Sequence, residues 1–145
     1  MRFLSSQPLA RVRNLTLERA RLLLSAALWL TAASAAVALL PFKRAIMFGC
    51  VEVARDPTAT IHDYRTAVET VSRRLPWRTM CIEKGLALQR LLRRAGVDAV
   101  LHYGVRALAG GTPEAHVWVC VNGEPIIGGE EAHRFAEIAT YPARP

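Results

Sequence analysis

Two residues carry the chemistry this chain can be read for. Cys81 sits in Leu75–Gly96, LPWRTMCIEKGLALQRLLRRAG, and His116 sits in AHVWVCV, 35 residues later. Thr79 is the expected N-cap of a helix that places Cys81 at its second position. A thiol there feels the positive end of the helix dipole, which favours thiolate, the nucleophilic form. The histidine opening a strand supplies the group that takes the sulfur's proton and later returns it to a leaving group. Alone, a free cysteine is most often a small buried hydrophobe; the downstream histidine turns the balance toward catalysis. Helix and strand must pack against each other to hold the pair.

The cysteine helix reads as Leu86, Leu88, Leu91, Leu92 and Ala95 on one apolar face, stopped by Gly96. Before it, residues 1–14 read as a frayed basic tail and about Leu15 to Leu40 as a long helix ended by Pro41. A short second helix is expected over Lys43–Ala54. A third is expected to start at Asp56-Pro57 and run to about Arg74, with Ile61, Tyr64, Val68, Val71 and Leu75 as its core stripe. After Gly96 the period becomes two. Val97–Arg106 reads as a strand, Ala107–Pro113 as a Gly-containing loop and Glu114–Val121 as a second strand. Asn122-Gly123 is a hairpin turn, Glu124–Ile127 a third strand, and the tail from Glu130 ends loosely. Helices followed by an antiparallel sheet make the fold α+β. The expected division is an N-terminal helical arm, 1–55, and a core, 56–145.

At 145 residues the chain can bury a core without disulfides. Three cysteines with no CxxC spacing indicate free thiols in a reducing compartment, and four histidines add no metal spacing. No metal and no cofactor are expected. Of the net +7, residues 1–55 hold +6, with eight Lys or Arg against Glu18 and Glu52. No nucleic-acid motif or aromatic stacking pattern accompanies that excess, so nucleic acid is not an expected partner. Leu22–Phe42 carries no charge over 21 residues. Its alanine content and Ser25, Thr31 and Ser34 favour a buried or membrane-surface helix over a span, while the basic flank and Ala33-Ser34-Ala35 also resemble a signal peptide, a reading that the cytoplasmic role implied by the family resemblance below makes the least favoured.

PWRTMCIEKGLALQRLLRRAGV, LHYGVR and EAHVWVCVNGEPIIGG together resemble the lasso-peptide biosynthesis B proteins, which are transglutaminase-like, papain-type leader peptidases. The resemblance covers roughly Asp56 to Glu130 and extends loosely to Pro41-Phe42-Lys43-Arg44. It implies a cysteine peptidase core with the nucleophile helix on a small antiparallel sheet. It further implies removal of the leader from a lasso precursor peptide in the cytoplasm, a separate leader-recognition protein, and a cyclase that uses the new N-terminal amine. Membrane contact through residues 15–42 is also expected. Carried over by position, Cys81 is the nucleophile and His116 the general base and later acid. The Cys81 N–H is a donor to the oxyanion, and Trp77 and Trp118 bind substrate.

The chain departs from the family at the third catalytic position. The family's aspartate lies about a dozen residues after the histidine; here that region reads Ile127-Gly128-Gly129-Glu130-Glu131. Asn122 is roughly 20 Å along the strand from His116, too far to orient it. Glu130 is the first choice, on the argument that paired glycines invite a bulge; a regular two-residue hairpin favours Glu131. A backbone carbonyl or an unassisted Cys-His dyad are the alternatives. Two other functions stay open: an acyl transferase using the same thioester, or a non-catalytic peptide-binding maturation protein.

Overall fold

The computed structural model describes residues 7–55 and 60–145, with 7–12, 14 and 15 as backbone only. The expected helix start at Asp56-Pro57 and residues 1–6 of the expected tail lie outside what is described. The elements are α1 (Gln7–Leu39), α2 (Phe42–Ala45), α3 (Ile61–Ser72), α4 (Cys81–Arg94), β1 (Ala99–Arg106), β2 (Glu114–Val121), β3 (Glu124–Ile127), a 3₁₀ turn η1 (Gly129–Arg134) and β4 (Ala136–Tyr141). The four strands form one antiparallel sheet in the order β3-β2-β1-β4. The fold is α+β, helices first and sheet second.

Asn122 and Gly123 both take positive φ, 51° and 81°, the geometry of a two-residue hairpin turn whose twist matches the flanking strands. Val121 therefore pairs with Glu124, but the register shifts between Val119 and Cys120, so Val119 faces Ile127. The tail does not end loosely. Ala136–Tyr141 forms β4 along the free edge of β1, with Leu101 opposite Tyr141. Its AEIATY stretch is short and has no buried residue, which hid it from a periodicity reading.

α4 covers one face of the sheet. A Cβ on Gly85 would lie 3.2 Å from Leu101, 3.3 Å from Val117 and 3.7 Å from Val119, so glycine lets the helix come down onto β1 and β2. Leu86, Leu88 and Leu92 are fully buried in the same cluster as Val68 of α3 and Ala26, Leu30 and Ala33 of α1. The boundary expected at 55/56 thus has one core on both sides of it.

The described part of α1 reaches back to Gln7, earlier than Leu15, with Pro8 in its first described turn and no helix breaker after it before Pro41. The expected second helix over Lys43–Ala54 shrinks to one turn. Its carbonyls are used elsewhere: Arg90 Nη1 donates to Phe48 O (2.6 Å) and Arg93 Nε to Val51 O (2.6 Å), while Ala54 N–H donates to Arg93 O (3.0 Å). Residues 50–54 are thus a strap laced to α4 by its arginines.

Arg93 is 9 % exposed and also donates to Asp98 (2.7 Å) and Ala99 O (3.0 Å). Arg93→Met leaves buried carbonyls without donors, and should cost roughly 2–3 kcal/mol in urea unfolding. Arg93→Lys should recover only part, because an ammonium lacks the planar fork. Asp98 is held below the usual carboxylate range by the hydrogen bond from Arg144, then by the charges of Arg144 and Arg93, against the raising effect of burial. The folded state therefore binds this proton less tightly than the unfolded chain. The stability it contributes is present above the unfolded value of about 3.9 and is lost as pH falls through the folded value. Asp98→Asn should be less stable than wild type at pH 7, with a gap that closes as the pH is lowered through that window.

Candidate active site

Cys81 is the first residue of α4, one position earlier than expected, because Met80 rather than Thr79 is the N-cap. Met80 has no oxygen to return, so only half of a capping box forms: Met80 N–H donates to Glu83 Oε2 at 2.5 Å. The first helical rung is Lys84 N–H to Met80 O. The N–H groups of Cys81, Ile82 and Glu83 precede that ladder and are free of it. The Cys81 side chain is half-buried against the edge of the apolar cluster.

Burial pushes Cys50 up, against the lowering effects of Arg93 and Gln89; burial and then the charge of Glu137 push Cys120 up. Among the described residues no cluster of His, Cys, Asp and Glu is arranged to hold a metal ion.

His116 is the third residue of β2, opposite Gly104 of β1. On its other side β3 has already stopped, its last rung lying at Val119–Ile127. The chain turns there through Gly128 (φ 77°) into η1. β3 therefore gives His116 no ladder partner on that side, and the imidazole bonds the turn instead. Nε2 lies 2.7 Å from Gly128 O. A carbonyl only accepts, so Nε2 carries a proton, and when the ring is neutral Nδ1 holds the lone pair. The ring is further fixed by Trp118 (centroids 6.0 Å) and Phe135 (5.0 Å).

Strand alternation decides which way the ring leaves β2. Val117 and Val119 face α4; His116 and Trp118 leave on the other side. A Cβ on Gly104, across from His116, would meet Phe135 and Trp118 at 3.0 Å, which marks the same side. Cys81 and His116 are therefore at the same end of the helix–sheet layer but on different sides of β2. Among the described residues no hydrogen bond joins the thiol to the imidazole.

Glu130 does not reach His116. η1 carries it outward, where its side chain is 75 % exposed and its carboxylate lies 3.9 Å from Arg65. Glu131 pairs with Arg134 at 3.3 Å. The bulge anticipated at Gly128-Gly129 occurs earlier, beside Val119, and at Gly128 the strand ends instead. The group on the imidazole is main chain, 12 residues after His116, where an aspartate was sought.

Trp118 does not line a groove. It is 7 % exposed, stacked between His116 and His102 (5.6 Å). His102 in turn bonds Glu137 at 2.8 Å. Trp77 is half-exposed near Cys81, but its indole N–H donates to Ser34 Oγ at 3.0 Å, tying the loop before α4 to α1. The Gly128 carbonyl and Phe135 had no residue-type signal in the sequence. The one usable hint was the glycine at the position where an acid was missing.

A Cβ on Gly128 would lie 2.7 Å from Val117 O, on a backbone already left-handed. Gly128→Ala and Gly128→Asp should each cost about 1–3 kcal/mol and lower Tm by several degrees in a thermal scan. An aspartate placed there does not restore a third catalytic acid. Nitrogen-15 NMR of His116 should show the Nε2–H tautomer when the ring is neutral.

A search of curated proteins and a search of solved structures find no match. The profile of the transglutaminase-like superfamily matches residues 10–140, which spans all of the packed elements from α1 to β4. Domains of this superfamily are of the kind found in papain-like cysteine peptidases and acyltransferases, and the chain belongs to the transglutaminase-like superfamily.

Proposed function

We propose that this chain is a cysteine peptidase that removes the leader from a lasso precursor peptide. The observation that carries the reading is the transglutaminase-like match over residues 10–140, which takes in Cys81 at the first position of α4 and His116 on the sheet beside it. At rest His116 faces away from α4, with Nε2 on Gly128 O and, when the ring is neutral, Nδ1 unprotonated. The resemblance of the Cys81 and His116 segments to lasso B proteins narrows the substrate.

Cys81 Sγ attacks the carbonyl that ends the leader, and its proton passes to His116 Nδ1. The oxyanion is met by the unladdered N–H groups at the start of α4, the Cys81 N–H first. The tetrahedral species collapses, the C–N bond breaks, and His116 returns the proton to the departing amine of the core peptide. Water then attacks the leader thioester, delivering its proton to His116, and frees leader and thiol. For the pair to close, substrate binding has to release the imidazole from the Gly128 carbonyl and bring it to the α4 side of β2. The Gly128 carbonyl fixes the tautomer but contributes no charge to the imidazolium. The new amine is what a cyclase requires, so a cytoplasmic assembly with a leader-recognition protein and a cyclase follows from this role. An amine in place of water would make the same thioester an acyl-transfer intermediate.

The test is precursor cleavage by the chain with its leader-recognition protein, followed by mass spectrometry. Cys81→Ala should abolish cleavage. His116→Ala should lower kcat/KM by about 10³-fold or more. Cys50→Ala and Cys120→Ala should remain active. Glu130→Ala, Glu131→Ala and the double variant should each stay within about tenfold of wild type, ~1.4 kcal/mol, because neither carboxylate holds the imidazole. Cleavage by the Cys81 variant would refute the assignment.

A further inference from the structure

α1 has two faces, and the core uses only one. Ala26, Leu30 and Ala33 are fully buried against α3 and α4. On a wheel of ~100° per residue, Leu17, Leu28, Ala35 and Leu39 fall within about 60° of Leu24, diametrically away from those three. All five are exposed, Leu24 at 70 %, Leu28 at 61 % and Leu39 at 81 %. Exposed Phe42 and Met47 follow just beyond the helix end. Thr31 is the one polar residue on the strip between Leu24 and Leu39, and a monomer seldom leaves so long an apolar strip to water.

The charges around the strip identify what covers it. Arg13 and Arg21 lie on the same side of the wheel at its N-terminal end, and Lys43 and Arg44 are exposed at its C-terminal end. The one acid of the described helix, Glu18, is turned well off the strip, and no other acid occurs before Glu52. The helix from Thr16 to Leu39 is by length and composition able to cross a membrane. Crossing, however, would pull Leu30 and Ala33 out of the core they share with Val68 and Leu88. Basic groups at both ends of an apolar strip suit a helix lying along an anionic surface, leucines down and cations level with the headgroups.

We propose that α1 docks this protein on the surface of an anionic lipid bilayer through Leu17, Leu24, Leu28 and Leu39, with Arg13, Arg21, Lys43 and Arg44 on the headgroups. The proposal uses neither Cys81 nor His116, so it stands or falls apart from the peptidase reading. The test is co-sedimentation of the full chain with phosphatidylcholine vesicles and with mixed phosphatidylcholine–phosphatidylglycerol vesicles. The protein should sediment with the mixed vesicles and at least about tenfold less with the neutral ones, and added salt should weaken binding. Leu24→Glu with Leu28→Glu should release it while leaving Tm unchanged, since both side chains are exposed; Lys43→Gln with Arg44→Gln should weaken it about tenfold or more. Equal binding to both vesicles, or none to either, overturns the proposal. So does a dimer in sizing that Leu24→Glu with Leu28→Glu dissolves, which would make a second copy the occupant. Retention of the wild type in vesicles after alkaline carbonate overturns it too, because that marks a span.

Discussion

The seat of α4 on β1 and β2 is the contact on which the rest of this molecule depends. Gly85 permits it, since any side chain there would press on Leu101 and Val117. From that seat the helix does three things. It buries Leu86, Leu88 and Leu92 against α1 and α3. Its arginines reach back to hold a strap that has no secondary structure of its own. Its first residue is presented at the end of the sheet where β2 begins. A reactive cysteine gains from such a mount, because a helix set on a sheet loses little position when a substrate arrives.

His116 is mounted differently. It stands where β3 has left the edge of β2, held by a carbonyl and two aromatic rings. A carboxylate in that place would fix the tautomer and also stabilise the imidazolium; a carbonyl does the first and little of the second. The backbone explains the exchange. Gly128 is in the left-handed region and lies too close to Val117 O for a side chain. With no room for an acid, the peptide oxygen is the group left within reach.

Much of this was legible beforehand. β2 and β3 were read with their observed limits because Asn122-Gly123 fixes the hairpin and the apolar alternation fixes the face. The stripe of α4 was read from its leucines. What escaped the sequence shares a cause: it depends on main chain or on long-range pairing. The Gly128 carbonyl has no side chain to signal it. β4 is stable because β1 offers an edge, not because AEIATY is strongly patterned. Residues 46–54 look helical by composition, yet Arg90 and Arg93 claim their carbonyls. Trp118 could be read as groove or core, and only the stacking of His102 and His116 on either side places it in the packing.

The central claim is that His116 activates Cys81 and not the other thiols. Alkylation by iodoacetamide at neutral pH, followed by peptide mass spectrometry, measures this without a substrate or a partner protein. Cys81 should react faster than Cys50 and Cys120 in the folded wild type, and its own rate should fall about tenfold or more in His116→Ala while Tm stays within a few degrees. If Cys81 reacts no faster than its neighbours, or equally fast without His116, the two residues are not a catalytic pair.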